Sequence, residues 1–232
     1  MKEAVEALLP LERDLFLMLN GSDSLFLDNL MWTLSGRLVW IPLFLFIVFL
    51  FFYKTSWKEG LLVTLFFVLL FAVSDQVSSS FFKPFFERFR PTHHPDFMDL
   101  VDIVNGYRGG RFGFISSHAT NSFGLAVFLS LLFRYRWLTV GALCWALLNS
   151  YTRIYLGVHF VSDIVAGMLV GTLIAFLLFW LYRFVRSRLL LHSWLSNQSV
   201  YGRKHAILLS LFIPVYLVVL TIFSSFLATL PH

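Results

Sequence analysis

Apolar residues are gathered along this chain into six long blocks separated by short polar stretches. The blocks run over Leu34–Tyr53, Gly60–Ser79, Ser117–Phe133, Trp137–Tyr155, Phe160–Tyr182 and Ala206–Leu227. A helix that crosses a bilayer needs about 20 largely apolar residues, and each block meets or approaches that length, the third being the shortest. Phenylalanine dominates them, as ordinary lipid-facing and packing material. Ahead of the first block, Val5, Leu8, Leu9, Leu15, Phe16 and Leu19 recur at roughly helical spacing. Residues 1–33 therefore read as an interfacial segment with an amphipathic helix lying on the membrane. Glu3, Glu6, Glu12 and Asp14 interrupt any continuous apolar core there, which argues against a cleavable secretion signal. The expected fold is all-α: a polytopic membrane helical bundle of six transmembrane helices and one N-terminal interfacial helix, forming a single integral-membrane domain over 1–232.

Composition agrees. The chain is 58% hydrophobic and 13% charged, against about 25% charged for soluble domains, so its polar residues are too few to cover a water-soluble globule. A net charge of +5 does not indicate nucleic acid, because most Lys and Arg stand at the ends of apolar blocks rather than in a basic stripe on a soluble module. The partner implied is the lipid bilayer. The single cysteine, Cys144, excludes an intrachain disulfide and a Cys-based metal cluster, and reads as a small buried apolar residue.

The loops alternate in charge. Lys54–Glu59, Arg134–Arg136 and Arg183–His205 together carry nine Lys/Arg and one acid, a balance of +8. The opposite face, with adjoining span residues, carries the other nine basic residues and twelve acids, a balance of −3. Lys83, Arg90 and Arg153 belong to a polar cluster of their own, and setting them aside leaves nine against six. The positive-inside rule then places the first set in the cytoplasm and both termini outside.

Three polar segments fall on the expected outer face. The first is Lys83–Pro91, where Lys83 and Arg90 are seven apart and on a helix would share one face two turns apart, with Pro84 at a helix start and Pro91 at its stop. Two cations on a short stiff element suit phosphate oxygens; they equally suit a basic patch for lipid headgroups. The second, Phe112–His118, opens the third block after Gly109 and Gly110. A helix N-terminus there favours an anion, and Ser116 either adds a hydroxyl donor or simply caps the helix. The third, Thr152–Asp163, holds Arg153 and the pair His159 and Asp163. These two are four apart, so the carboxylate can reach one imidazole nitrogen and leave the other free for attack. Ionisable pairs near the end of a span are expensive and point to function.

Taken together, Lys83 and Arg90-Pro91 with six residues between them, then Ser116-Ser117-His118, then Arg153, His159 and Asp163 resemble the signature of the type 2 phosphatidic acid phosphatase family, which includes the vanadium haloperoxidases. The resemblance covers residues 54–181. Two positions depart from it: the family's Pro-Ser-Gly-His is Ile115-Ser116-Ser117-His118 here, and the Ser before the third-motif Arg is Thr152. The resemblance implies a membrane lipid phosphatase in which His159 attacks phosphorus, oriented by Asp163. His118 protonates the leaving oxygen and then activates water. Lys83, Arg90, Arg153, Ser116 and the Ser117 N–H hold the phosphoryl oxygens. No metal and no other cofactor is expected, since three permanent cations can serve the transition-state charge.

Around this set, Asp75 could pair with a site cation or stand as a plain interfacial acid. Arg108 and Arg111 could meet a headgroup, and the loop 92–111 is where headgroup choice would lie. His93 and His94 read as loop polarity, and His192, His205 and His232 receive no role. The expected partner is a phosphorylated membrane lipid, with undecaprenyl diphosphate, phosphatidylglycerol phosphate and lipid A phosphates as candidates, and the expected location is the bacterial inner membrane with the site facing the periplasm. The competing readings are a phosphotransferase using the same phosphohistidine and a non-enzymatic transporter. Residues 206–227 form an additional span outside the resemblance, and nothing in the sequence specifies an oligomeric state.

Overall fold

Every one of the six apolar blocks is helical, but not every block is one straight helix. A computed structural model describes residues 2–191 and 200–230; His192 and His232 lie outside the described residues. In chain order the helices are α1 (Lys2–Glu6), α2 (Leu9–Leu19), α3 (Leu25–Ser35), α4 (Ile41–Phe52), α5 (Trp57–Asp75), α6 (Lys83–Phe86), α7 (Ser117–Phe133), α8 (Arg136–Tyr155), α9 (Val161–Arg186), α10 (Arg203–Ile222) and α11 (Ser224–Leu227). No strand occurs among the described residues beyond a single antiparallel bridge between Phe89 and Phe112.

By length and apolar composition, Trp57–Phe86, Val161–Leu190 and Arg203–Ile222 can each cross a membrane. The first block differs from the expectation. It breaks at Gly36 and Arg37, so that Leu25–Ser35 and Leu38–Phe52 meet at 71° and together make one broken span or a re-entrant turn. Pro42, near the start of α4, suits a first turn, where its missing N–H leaves no helical bond unmade. Ser117–Phe133 is a shorter apolar helix, and α8 fills the fourth block with a more polar sequence. Leu65, Leu169, Trp180 and Leu211 are among many large apolar residues turned outward, an arrangement that lipid rather than water accommodates.

The centre of the bundle is α7, packed between α5, α8 and α9. Its approach to α9 depends on small residues. A Cβ on Gly171 would lie 2.2 Å from the Thr120 carbonyl oxygen, and one on Gly167 would lie 2.7 Å from that of Ser116. Small residues at such a crossing let two backbones come close, as is common where helices pack in lipid. This contact sets the N-terminal ends of α7 and α9 side by side, and Ser116 N–H donates to the Asp163 carbonyl at 3.1 Å.

The loop alternation has a structural counterpart. At one end of the bundle Glu59 accepts hydrogen bonds from Tyr182 and, at 2.9 Å, from Arg186. His205 Nε2 donates to the Tyr53 carbonyl at 2.7 Å, and Arg203 lies over the Tyr135 ring. The three basic loops therefore share one end, and the three polar segments gather at the other.

Two local expectations are corrected. Lys83 and Arg90 do not share a helix face. Helical structure continues from α5 through a π-helical stretch, Gln76–Phe82, into α6, and stops at Glu87, whose φ is 47°. Pro84 is not a first helical residue but sits inside this run. Its missing N–H and its ring are what the wider turns just ahead of it accommodate. Arg90 lies beyond the stop, in extended backbone bonded to Arg111. Likewise His159 and Asp163 are not one turn apart on a helix, because α9 begins at Val161 and His159 lies in the turn before it.

Candidate active site

Each polar segment enters the site from the end of a helix, where backbone and side chains are no longer tied into a helical ladder. From α9, Asp163 occupies the first turn. Its Oδ2 accepts the Phe160 N–H at 3.0 Å, capping the helix, and meets His159 Nδ1 at 3.2 Å. The expected contact therefore exists, made by a capping carboxylate reaching back to a loop histidine. With Nδ1 held by Asp163, the imidazole's Nε2 is the nitrogen available for attack. Burial, then the neighbouring Arg90 and Arg153, hold His159 well below the usual histidine range, so the ring is neutral at neutral pH.

Three cations surround that ring. Lys83 Nζ donates to Ser117 Oγ at 2.7 Å. Arg90 is tied by Nε to the Phe112 carbonyl at 3.1 Å and by Nη1 to the Val158 carbonyl at 3.3 Å. Arg153 donates to Ser35 Oγ and, at 3.2 Å, to Tyr107 Oη, while its Nε is buried with no partner. None of the three has a carboxylate within ion-pair distance among the described residues. Burial and Arg153 bring Arg90 down to about 10. A cluster of like charges, two of them buried and one half-buried, held only by neutral acceptors is suited to an anion.

The remaining expected residues divide. Ser116 is buried at the N-cap of α7, where its Oγ accepts the Ala119 N–H at 3.4 Å; the capping role is the one its geometry carries. His118, the second residue of α7, lies within electrostatic reach of Arg153 and His159. Asp75 is exposed, accepts from Ser79 at 3.4 Å and makes no ion pair among the described residues. Arg108 donates to the Thr92 carbonyl at 3.3 Å, and Arg111 stacks over Phe89 and Phe112. Both are exposed residues of the loop that runs beside Arg90. His94 is buried against Glu6 at 3.4 Å, so it ties the loop to α1.

Gly113 gives the site room. A Cβ there would come within 3.0 Å of Asp163 Oδ2 and 3.5 Å of His159 Nδ1. Beside Ser117 and His118 opens a cavity of about 370 Å³, walled by Trp40, Phe44, Phe71 and Trp145, with Asn121 and Asn149 among its polar lining. Several participants escaped the sequence reading: Arg88, Glu12, Tyr107 and Ser35. Glu12 had an available signal, since it falls on the stripe that runs Val5, Leu9, Phe16, where an acid has no place unless it is paired.

An all-helical membrane fold whose helix ends converge on a histidine–aspartate pair and three unneutralised cations defines an integral-membrane protein built to act on an anionic group. Residues 61–187 match the PAP2 superfamily, and the chain belongs to that family. It is 45% identical over 184 residues to a lipid A 4'-phosphatase of Porphyromonas gingivalis, covering 79% of this chain and 78% of the relative. It is 41% identical over 186 residues to a lipid A 4'-phosphatase of Bacteroides thetaiotaomicron, covering 80% and 81%. Its fold is similar to the crystal structure of a transmembrane PAP2-type phosphatidylglycerolphosphate phosphatase from Bacillus subtilis, with a TM-score of 0.54, 25% identity, and coverage of 80% of this chain and 88% of that one.

Proposed function

We propose that this membrane lipid phosphatase removes a phosphate group from a lipid-linked saccharide of the lipid A class through a phosphohistidine on His159. The observation that carries the reading is His159 itself: neutral, held at Nδ1 by Asp163, and ringed by three cations that lack carboxylate partners. His159 Nε2 attacks phosphorus while the bond to the lipid oxygen breaks, and His118 gives that oxygen its proton. Water then attacks the phosphohistidine and returns a proton to His118, releasing inorganic phosphate and free His159. Lys83, Arg90, Arg153 and the Ser117 N–H hold the equatorial oxygens, where negative charge gathers. The cavity beside His118 gives the leaving group a place to stand, and the substrate class follows the two relatives that align over most of the chain.

All six apolar blocks cross or enter the membrane in this reading, as one integral domain, and the face of α2 bearing Leu11, Leu15 and Met18 meets the bilayer. The site opens to the periplasmic side of a bacterial inner membrane, opposite the basic loops. Purified protein in detergent, presented with lipid A, undecaprenyl diphosphate and phosphatidylglycerol phosphate, is expected to release phosphate fastest from lipid A. His159→Ala is expected to release none. Faster release from another lipid overturns the substrate class, and lipid dephosphorylation without free phosphate shows transfer to an acceptor instead.

A further inference from the structure

Behind the nucleophile lies a chain of charged groups that the phosphate chemistry does not use. Arg88 is fully buried. Its Nη1 donates to Asp163 Oδ1 at 2.9 Å and to Ser162 Oγ at 2.6 Å, and its Nη2 donates to Glu12 Oε1 at 2.6 Å. The guanidinium lies 4.4 Å from the centre of the Phe160 ring. Glu12, from α2, also accepts the Ser162 N–H at 2.7 Å and the Ser162 hydroxyl at 2.8 Å. With both terminal nitrogens committed to Asp163, Ser162 and Glu12 and one face covered by a ring, only its buried Nε lacks a partner, so Arg88 directs its charge to these carboxylates although it stands only two residues from Arg90.

We infer that Glu12 and Arg88 are positioning residues, linked in the order Glu12, Arg88, Asp163, His159, through which the N-terminal helix sets the orientation and charge of the carboxylate behind the nucleophile. The inference rests on the reading of His159 as the group that attacks phosphorus.

The division of labour at Asp163 supports it. Oδ2 serves the Phe160 N–H and His159, and Oδ1 is held by Arg88. The carboxylate therefore cannot turn away from the imidazole without breaking a buried ion pair. When Nε2 bonds to phosphorus, the imidazole becomes cationic and must keep its proton on Nδ1. A fixed anion there stabilises that state. The 2.9 Å ion pair with Arg88 favours the charged form of Asp163 against its burial. Glu12 offsets part of the Arg88 charge, so Asp163 is not so strongly neutralised that it stops supporting the ring. The α2 helix thus contributes to the reaction from outside the matched family segment of residues 61–187.

The test uses full-length protein in detergent, with Arg88→Gln, Arg88→Lys and Glu12→Gln compared with wild type. Steady-state kinetics on the preferred lipid are expected to show kcat lowered roughly 100-fold in Arg88→Gln and roughly 10-fold in Glu12→Gln, with KM within about twofold. Arg88→Lys is expected to recover part of the loss. The second readout is the ¹⁵N signal of the His159 ring in histidine-labelled protein, assigned by its absence from His159→Gln. Wild type is expected to show Nδ1 protonated and Nε2 bare, and Arg88→Gln to lose that single pattern. If Arg88→Gln does not assemble, Glu12→Gln decides, since its amide oxygen can still accept from Ser162. An unchanged His159 signal, or a loss confined to KM, overturns the inference. Wild-type protein that hydrolyses no lipid would defeat the phosphohistidine reading alone, and the ring signal would still decide whether Arg88 and Glu12 set the imidazole.

Discussion

Gly113 shows how closely single residues limit this site. Alanine there would place a methyl group 3.0 Å from Asp163 Oδ2 and 3.2 Å from Arg90 Cγ, so the carboxylate and the guanidinium stem must both shift. Gly113→Ala is expected to fold normally and lose at least about 10-fold in kcat/KM, since a misplaced reacting group is costly. Wild-type kcat/KM in this variant would show that the pair has slack. The depressed His159 makes a second expectation. In the proposed mechanism the attacking form is neutral imidazole, and a lowered pKa keeps it neutral as the pH falls. The acid limb of log kcat/KM should therefore lie below pH 6.5, where an ordinary histidine would already be half protonated. A midpoint at 6.5 or higher would contradict the electrostatic account given for Arg90 and Arg153.

Among the elements, the α7–α9 crossing carries the most consequence, because it sets two motif-bearing helix ends against each other. Gly171→Ala would force a methyl group against the Thr120 carbonyl. It is expected to cost roughly 1–3 kcal/mol of stability, the usual range for overpacking. Gly141→Ala in α8, where a Cβ meets nothing within 4 Å, is expected to leave the melting temperature in detergent unchanged or raised. Equal effects at the two positions would show that the crossing is looser than its geometry. The π-helical stretch before Pro84 is the other consequential element. It carries Ser78 and Ser79, which meet Ser117 at 2.9 and 3.1 Å, so the helix irregularity turns two hydroxyls toward the Lys83 acceptor.

For the whole molecule, charge distribution underlies the predictions for both chemistry and orientation. In the proposed mechanism Lys83, Arg90 and Arg153 present three positive charges to the substrate, and no group of three or more His, Cys, Asp or Glu residues placed to hold a metal ion occurs among the described residues. Full activity is expected to persist in a strong chelator; loss on chelation with rescue by Mg²⁺ would refute the cation-only account. Orientation can be read with single cysteines introduced in a Cys144→Ala background. A membrane-impermeant thiol reagent on spheroplasts should label position 108, in the loop beside the site, and not position 58, at the basic end. The reverse pattern would invert the topology.

Much of this was legible in the sequence because it depends on local pattern. The apolar blocks located all six long helical regions, since a helix in lipid must satisfy its own backbone and be apolar nearly throughout. Lys83, Arg90, His118, Arg153, His159 and Asp163 stood out because charge near a span end is costly without a purpose. What depends on distant parts of the chain was not legible. The 71° break at Gly36–Arg37 lies inside an apolar block that reads as continuous. The end of α6 at Glu87 reflects a left-handed residue that composition does not mark. Glu12 and Arg88 are 76 residues apart, and although the apolar stripe marks Glu12 as needing a partner, nothing local says that the partner is Arg88. By itself, then, the sequence determined the helices, the membrane setting and which charged residues to examine together, all properties that a residue and its near neighbours carry. Only the tertiary structure decided which nitrogen of His159 is held and which buried charges stand behind Asp163, because a buried charge is stable only beside a partner that the fold, not the local sequence, delivers.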